Sequence, residues 1–173
     1  MSAAQGRTDP SPPSIGILLV AGDGTDEEDG DRLESWVRDQ GCRLAARSTV
    51  APSREEVVRA LLALTDGEGC DVVLTFGGVG LGEADVVPEA TRAVLERHLP
   101  GVAGRIRGRD EADRTAALER GVAGVRGRTL VANLPAPSAG AVESLEAVAP
   151  LVDRAVAELR DTAGREEAGP DGG

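Results

Sequence analysis

Three short apolar runs in this sequence each lead into a loop rich in glycine or proline. They are Ser14–Val20 (SIGILLV), Asp71–Thr75 (DVVLT) and Thr129–Asn133 (TLVAN). Runs of this length predict strands that are buried on both faces, and helical patterns separate them along the chain. Strands that alternate with helices predict an α/β fold, a three-layer sandwich in which helices cover both faces of a mostly parallel sheet. The loops after the three strands should then converge at one edge of that sheet.

The segments between these runs carry further helix and strand signals. Asp31–Gln40 places apolar residues at helical spacing, and Cys42–Val50 is interpreted as another strand. Ser53–Leu64 has an apolar stripe, and Ser53 with Glu56 three residues later matches a capping box. The remaining helical segments are Pro88–Leu99, Pro100–Arg107, Asp113–Glu119 and Val142–Arg160, the last with a kink or break expected at Pro150.

The domain organisation follows from length and local composition. A chain of 173 residues suits one domain, predicted over residues 14–160. Residues 1–13 are rich in Ser, Pro, Gly and Ala, and residues 161–173 are rich in Gly, Glu and Asp. Both ends are therefore predicted to be disordered tails, because such compositions bury too little apolar surface to order a chain.

The charged residues exclude several classes of function. The chain has 30 acidic and 19 basic residues, all of the latter arginine, and a formal net charge of −11. Without lysine there is neither a P-loop lysine nor a Schiff-base lysine. His98 is the only histidine, which argues against a histidine metal site and a catalytic triad. The acidic balance argues against nucleic acid and membranes as partners.

Cysteine usage and hydropathy predict a cytoplasmic protein. Cys42 and Cys70 form no CxxC pair, and they are interpreted as small buried residues in a reducing compartment. The sequence has no apolar stretch long enough to span a membrane. It also lacks a basic segment followed by an apolar one at its start, which is the pattern of a secretory signal.

The loop after the second run, within Leu74–Thr91 (LTFGGVGLGEADVVPEAT), is the strongest candidate for chemistry. Glycines after a strand allow positive φ, so successive backbone N–H groups can turn toward an anion such as phosphate. The dinucleotide fingerprint requires a glycine where Glu83 stands, and the Walker A motif requires a lysine, so both are absent. A tight turn that needs glycine and binds nothing remains an equal alternative.

Asp85 follows these glycines and has two competing interpretations. A carboxylate beside a phosphate is repulsive unless a divalent cation lies between them, and Mg²⁺ commonly binds one or two carboxylates together with substrate phosphates. The other interpretation is an N-terminal cap for the helix that begins near Pro88.

Two motifs in the chain resemble those of a known family. Residues 77–80 (GGVG), Asp85 and residues 88–91 (PEAT) resemble the motif T-G-G-T-G-x-x-x-x-D-x-T-P-E-A-T of the MogA/MoaB family of molybdopterin-binding proteins. Residues 123–131 (AGVRGRTLV) and 133–135 (NLP) resemble the second family motif, A-G-x-R-G-x-T-L-x-x-N-L-P-G-S-P. The resemblance covers Ser14 to Leu159.

The resemblance implies a molybdopterin-binding α/β fold that assembles as a homotrimer or a trimer-based hexamer. Active family members adenylylate molybdopterin, using ATP and Mg²⁺, during molybdenum cofactor biosynthesis. On this basis Asp85 is the expected catalytic and metal-binding residue. The residues expected to bind the pterin and its phosphate are Thr75, Gly77, Gly78, Gly80, Asn133, Leu134, Pro135 and Ser138.

The chain departs from the family motifs at several positions. Val79 stands where the family has a hydroxyl, Phe76 replaces a small residue, and Ala84 replaces an arginine. Ala136 replaces a glycine. Lost donors predict weaker phosphate binding, because each hydrogen bond to a charged group is worth roughly 1.5–3 kcal/mol. Other arginines could compensate, or Mg²⁺ could bind the acidic loop Asp23–Asp29, but ordinary surface solvation is the favoured explanation of both features. The arginines concerned are Arg105, Arg107, Arg126 and Arg128.

These departures leave three functions open. The first is a molybdopterin adenylyltransferase with a degenerate site. The second is a non-catalytic molybdopterin-binding or scaffold protein of the same fold. The third is an unrelated module for a phosphorylated ligand, because a fold alone does not determine function.

Overall fold

The computed structural model describes residues 11–22, 25–109, 112–136 and 140–167. Beside its helices and strands, the chain forms a π-helical turn at Ala63–Gly67 and a 3₁₀ turn at Arg114–Leu118. The helices and strands in chain order are β1 (Ser14–Val20), α1 (Glu27–Asp39), β2 (Arg43–Val50), α2 (Arg54–Leu62), β3 (Val72–Phe76), α3 (Val87–Val94), β4 (Arg97–His98), α4 (Pro100–Arg107), β5 (Ala123–Arg126), β6 (Thr129–Leu134) and α5 (Ala141–Glu167).

The strands form one six-stranded sheet in the order β2-β1-β3-β6-β5-β4. The first four are parallel to one another, and β5 and β4 complete the sheet with antiparallel pairings. The predicted α/β class with a mostly parallel sheet is confirmed. The helix predicted over Pro88–Leu99 is too long, because α3 ends at Val94 and Arg97–His98 forms β4. The sequence does not predict β5, which has four residues and no apolar run of its own.

Two apolar layers hold the helices on opposite faces of the sheet. Alternate residues of β1 point to opposite sides, so Ile17 belongs to one layer and Leu18 to the other. The first layer joins α1, α4 and α5 to the sheet, and it contains the fully buried ring of Phe76. The second layer joins α2 and α3. The helices therefore fix the carboxyl ends of β1, β3 and β6, where the three loops emerge, from both sides.

One helix start and one predicted capping box differ from the sequence prediction. Helix α1 begins at Glu27 because Asp26 caps it: the Asp26 carboxylate accepts from the Asp29 N–H at 2.9 Å, and the Asp29 carboxylate accepts from the Asp26 N–H at 3.3 Å. The capping box predicted at Ser53 is wrong, because the Ser53 side chain makes no capping bond. The Glu56 carboxylate accepts instead from the N–H of Ala51, at 3.1 Å.

Helix α5 is longer than predicted. It continues through Pro150 without a break and ends at Glu167, so residues 161–167 of the predicted tail are helical. The rest of that tail, like residues 1–10, lies outside the described residues. No helix within the described ranges, α5 included, combines the length and the apolar character needed to cross a bilayer.

The two cysteines are free thiols. Cys70 is buried, as predicted, whereas Cys42 is only half-buried. Burial is the main reason that the pKa of the Cys70 thiol rises to about 11. Cys70 therefore stays protonated at neutral pH and acts as a small apolar side chain.

An ion pair ties the end of α5 to the start of β3. The Arg160 guanidinium donates twice to the Asp71 carboxylate, at 3.1 and 2.8 Å, and the Ser14 N–H and hydroxyl donate to the same carboxylate at 2.8 Å each. Burial alone would raise the pKa of Asp71, but the four donated bonds outweigh burial, and the pKa lies below its ordinary value.

Replacing Asp71 with asparagine should lower the free energy of unfolding at pH 7 by about 1.5–3 kcal/mol, because bonds to a charged carboxylate are lost. Since the folded-state pKa is depressed, this stabilisation is complete above the unfolded-state pKa of about 3.9 and is lost as the pH falls through the folded-state pKa. Urea unfolding between pH 7 and pH 2 should therefore show the difference between Asp71→Asn and the parent shrinking toward zero. The control Asp39→Asn removes an exposed carboxylate without a partner among the described residues, so it should follow the parent at every pH.

Candidate functional site

A cleft of about 430 Å³ opens at the carboxyl edge of the sheet. Its walls come from the segments after β1, β3 and β6, so the predicted convergence of the three loops is confirmed. The loop after β3 contributes Gly77, Gly78, Val79 and Gly80 to the lining. Asp85 lines the cleft beside them.

The glycine loop turns sharply after β3, with left-handed backbone at two glycines. Gly77 and Gly78 have φ values of +89° and +67°. The Gly77 N–H donates to the Leu134 carbonyl at 3.1 Å, and the Gly78 carbonyl accepts from the N–H of Val87 at 3.2 Å, so both ends of the turn are fixed. Among the described residues, the N–H groups of Gly78, Val79 and Gly80 have no acceptor. Three successive unused donors in a loop with left-handed glycines form the kind of backbone concavity that holds phosphate.

Two of the glycines leave little room for a side chain. A Cβ at Gly78 would lie 2.6 Å from Cγ2 of Val87, and a Cβ at Gly80 would lie 2.8 Å from Oδ2 of Asp85. Both distances are far inside van der Waals contact, so Val87 or the Asp85 carboxylate would have to move. Glycine at these positions therefore lets the loop pack against α3 and lets the Asp85 carboxylate approach the backbone.

The Asp85 carboxylate stays beside this loop and does not cap α3. Its Oδ2 accepts from the Gly82 N–H at 2.8 Å, and its Oδ1 has no hydrogen-bond donor among the described residues. The residue at the N-cap position is Val86, so the capping interpretation of Asp85 is wrong. A half-buried carboxylate with one open oxygen suits Mg²⁺ that is otherwise held by substrate phosphates.

Within the described ranges, no group of three or more His, Cys, Asp or Glu side chains could hold a metal ion. Asp26 and Asp29, from the acidic loop considered as a Mg²⁺ site, use their carboxylates to cap α1. Asp23 lies outside the described residues.

Arg120 holds the glycine loop in shape. Its guanidinium donates to the Gly80 carbonyl at 2.7 Å and to the Asp85 carbonyl at 2.6 Å, and it forms an ion pair with the Glu89 carboxylate on α3. Its own N–H donates to the carbonyl of Val79 at 2.8 Å. The bond from Arg120 keeps the pKa of Glu89 below its ordinary value. The sequence analysis missed Arg120, because nothing near it in the chain indicates that it reaches a loop about 35–40 positions earlier.

Three residues expected to bind the ligand lie outside the cleft lining. The Asn133 amide donates to the hydroxyls of Thr75 at 3.0 Å and Thr91 at 2.9 Å, and its oxygen accepts from the Val122 N–H at 3.1 Å. These side chains are buried and use their hydrogen-bonding capacity on one another. Leu134 is buried in the first apolar layer. Thr75, Thr91 and Asn133 therefore form a polar cluster that joins β3, β6 and α3 beneath the cleft.

Replacing Asn133 with alanine should reduce the free energy of unfolding by about 2–4 kcal/mol, because buried donors and acceptors lose their partner. Urea unfolding at pH 7 measures this difference. The matched control Thr49→Ala removes an exposed hydroxyl on edge strand β2 and should change stability by less than about 0.5 kcal/mol. An Asn133→Ala variant as stable as this control would contradict the proposed structural role.

Pro135 and Ser138 are the remaining residues expected to bind the ligand. Pro135 lines the cleft with the three motif glycines and Asp85, and Ser138 lies outside the described residues. Of the family departures, Val79, Ala84 and Ala136 line the cleft, whereas the Phe76 ring points into the core.

The arginines considered as compensation do not reach the cleft. None of Arg105, Arg107, Arg126 and Arg128 lines it among the described residues. The only other carboxylate on its wall, that of Glu119, accepts two bonds from the buried guanidinium of Arg109, at 2.7 and 2.9 Å. In the part of the chain that the structure describes, backbone N–H groups are therefore the donors that the cleft offers to an anion.

Comparison of sequences relates the chain to molybdenum cofactor proteins. The family described as "Probable molybdopterin binding domain" matches residues 14–154. The chain is 38% identical to a molybdopterin adenylyltransferase of Helicobacter pylori over 104 residues, which is 60% of this chain and 59% of that one. It is 33% identical to the molybdenum cofactor biosynthesis bifunctional protein of Chlorobaculum tepidum over 143 residues, 82% of this chain and 45% of that one. The matches thus span about half the length of these two relatives.

Solved structures extend the likeness to the whole sheet. The molybdopterin biosynthesis enzyme MoaB of Thermus thermophilus matches with a TM-score of 0.78 and 38% identity, covering 85% of this chain and 96% of that one. The molybdopterin biosynthesis Mog protein of Mycobacterium ulcerans matches with a TM-score of 0.76 and 31% identity, covering 86% and 99%. The curated molybdopterin adenylyltransferase of Escherichia coli is 32% identical over 141 residues, 78% of this chain and 72% of that one.

Proposed function

Because the chain belongs to the MogA/MoaB family of molybdopterin-binding proteins of molybdenum cofactor biosynthesis, we propose that it transfers AMP from ATP to the phosphate of molybdopterin. One observation carries the proposal: Gly78, Val79 and Gly80, whose N–H groups have no acceptor among the described residues, line the same cleft as Asp85. A loop that binds anions beside a single carboxylate suits a phosphorylated substrate whose phosphates also bind Mg²⁺.

The bond changes of the proposed reaction are those of nucleotidyl transfer. A terminal phosphate oxygen of molybdopterin forms a bond to the α-phosphorus of ATP. The bond from that phosphorus to the bridging oxygen breaks, and pyrophosphate leaves with the electron pair. Such a reaction depends mainly on positioning and on stabilising charge, because the protein forms no covalent bond.

Each residue of the cleft has a defined task in this proposal. The N–H groups of Gly78–Gly80 bind phosphate oxygens, and Arg120 keeps those groups in place through the carbonyls of Gly80 and Asp85. Asp85 provides the protein ligand for Mg²⁺ through its open Oδ1. The ion, when bound, neutralises phosphate charge that the cleft itself cannot balance with a cationic side chain.

A second candidate is a non-catalytic protein that binds molybdopterin. Two observations favour it: Val79, which stands where the family motif has a hydroxyl, has no polar side-chain atom and packs in the second apolar layer, and no arginine among the described residues lines the cleft. A triphosphate needs more hydrogen-bond donors than the single phosphate of a pterin. The lack of donors should therefore weaken the binding of ATP more than the binding of the pterin. The position of Phe76 favours the adenylyltransferase, because the ring lies in the core and leaves the cleft open.

Incubation of the full chain with molybdopterin, ATP and Mg²⁺ tests the proposal. Adenylylated molybdopterin and pyrophosphate should form in equal amounts. Calorimetric binding of the pterin without any product would support the second candidate. Absence of both binding and product would contradict both candidates.

The assembly state and the compartment also belong to this proposal. A homotrimer or a trimer-based hexamer is expected from the family, and the exposed Leu118 and Val142 offer apolar surface for contacts between subunits. Sedimentation equilibrium would measure the assembly directly, and a monomer at micromolar concentration would contradict it. A cytoplasmic location is expected for the same reason.

A further inference from the structure

A second cleft, of about 550 Å³, lies at the opposite edge of the sheet from the glycine loop. Four arginines line it, and we refer to it as the arginine cleft: Arg43 on β2, Arg126 and Arg128 around the turn between β5 and β6, and Arg160 on α5. Strand β3 runs between the two sites. The five residues of β3 separate Asp71 in one from Gly77 in the other, and six steps of extended chain span roughly 20 Å.

Two of the four guanidinium groups are fixed by carboxylates. Arg126 donates twice to Asp66, at 2.9 and 2.6 Å, and Arg160 donates twice to Asp71, at 3.1 and 2.8 Å. These bidentate pairs anchor the walls of the arginine cleft. They also neutralise both carboxylates that line it.

The other two guanidinium groups have no carboxylate partner among the described residues. Arg43 and Arg128 are exposed, and neither guanidinium forms a hydrogen bond or ion pair with any residue that the structure describes. The nearby Glu96 carboxylate accepts from the N–H of Gly127, at 2.9 Å. The lining thus has four positive and two negative side chains, a local surplus in a chain whose formal net charge is −11.

We propose that the arginine cleft is a second anion site, which binds the phosphoryl group of a small molecule or free phosphate. Planar guanidinium groups bind phosphate oxygens in pairs, which favours phosphate over a halide ion. Arg43 and Arg128 are the ligands, and the two Arg–Asp pairs hold the walls on which they stand. The inference is independent of the proposed AMP transfer, because none of these residues lines the cleft beside Asp85.

Titration of the ¹⁵N-labelled full chain with inorganic phosphate tests this site by NMR. The amides of Gly69, Gly127 and Arg128 should shift saturably, and sodium chloride at matched ionic strength should not reproduce the shifts. The double variant Arg43→Ala/Arg128→Ala should weaken this binding at least tenfold, because two charge-assisted contacts are lost. The fold should persist, since neither side chain has a partner to lose within the described structure.

The matched control is the double variant Arg32→Ala/Arg154→Ala, which changes the net charge equally on exposed faces of α1 and α5. It should bind phosphate at these amides like the parent. Shifts that are linear, that chloride reproduces, or that persist at full strength in Arg43→Ala/Arg128→Ala would overturn the proposal.

Two further comparisons make the outcome specific. Phosphate that binds only the glycine loop would shift the amides of Gly78 and Gly80 and leave those of Gly127 and Arg128 unmoved. This result would overturn the second site but would not contradict the proposed function.

A titration with AMP distinguishes the sources of the phosphoryl group. Equal affinity for AMP and phosphate assigns the site to free phosphate, and tighter binding of AMP assigns it to a phosphorylated small molecule.

Discussion

Replacing Asp85 with asparagine is expected to lower the rate of AMP transfer by roughly 100-fold or more while leaving pterin binding nearly unchanged. Asparagine keeps the shape of the side chain and an oxygen that can accept from the Gly82 N–H, so the loop should persist. It removes the negative charge, and with it the protein ligand expected for Mg²⁺. The substitution should lower kcat and raise the Mg²⁺ concentration that gives half-maximal activity.

The measurement is steady-state AMP transfer at increasing Mg²⁺ concentration, together with calorimetry of pterin binding. Glu83→Gln is the matched control, because it neutralises an exposed carboxylate two positions away in the same loop. Its activity should remain within about twofold of the parent. An Asp85→Asn variant with the same Mg²⁺ dependence as the parent would remove Asp85 from the mechanism.

Replacing Arg120 with alanine should reduce the free energy of unfolding by about 2–4 kcal/mol and should also impair the cleft. The substitution removes the bonds from the guanidinium to the carbonyls of Gly80 and Asp85 and its ion pair with Glu89. A hydrogen bond that involves a charged group is worth about 1.5–3 kcal/mol, but the side chain is 33% exposed, so water replaces part of the loss. The loop between Gly80 and Asp85 then loses the contact that joins its two ends.

Urea unfolding and the KM for ATP measure the two effects separately. Arg120→Lys tests the geometry, because one ammonium group cannot replace a planar fork that reaches three partners at once. It should recover less than half of the lost stability and little of the ATP affinity. The control Arg154→Ala removes an exposed arginine from an i,i+4 ion pair on α5 and should cost less than about 0.5 kcal/mol. A fully active Arg120→Lys enzyme would contradict the positioning role.

Arg120 and Asp85 together explain how a cleft without a cationic side chain in its described lining can still suit phosphate. The arginine acts on the backbone and not on the ligand: it fixes carbonyls, and the N–H groups of the same loop remain open. Its charge is balanced by Glu89. Val79 and Ala84, which depart from the family motif, also line this cleft.

The strands and the position of the cleft were predictable from the sequence because their signals are local. An apolar run followed by glycines indicates a strand and its exit loop wherever it occurs, and three such runs determine which edge of a parallel sheet carries the loops. Short antiparallel strands give no such signal. The place of β5 depends on Gly124, where a Cβ would lie 2.3 Å from the Arg97 carbonyl oxygen, a contact visible only across strands.

The features of the cleft also divide into those that the sequence predicts and those that only the tertiary structure shows. The sequence by itself determined the glycines and the carboxylate of the loop, because backbone freedom and charge are properties of the residues themselves. Only the tertiary structure decided that Phe76 points into the core, that Asn133 joins two hydroxyls beneath the cleft, and that Arg120 reaches back to the loop. The physical reason is distance along the chain: the partners of Asn133 and Arg120 lie about 30 to 60 positions away, and the packing of the sheet and helices alone brings them into contact.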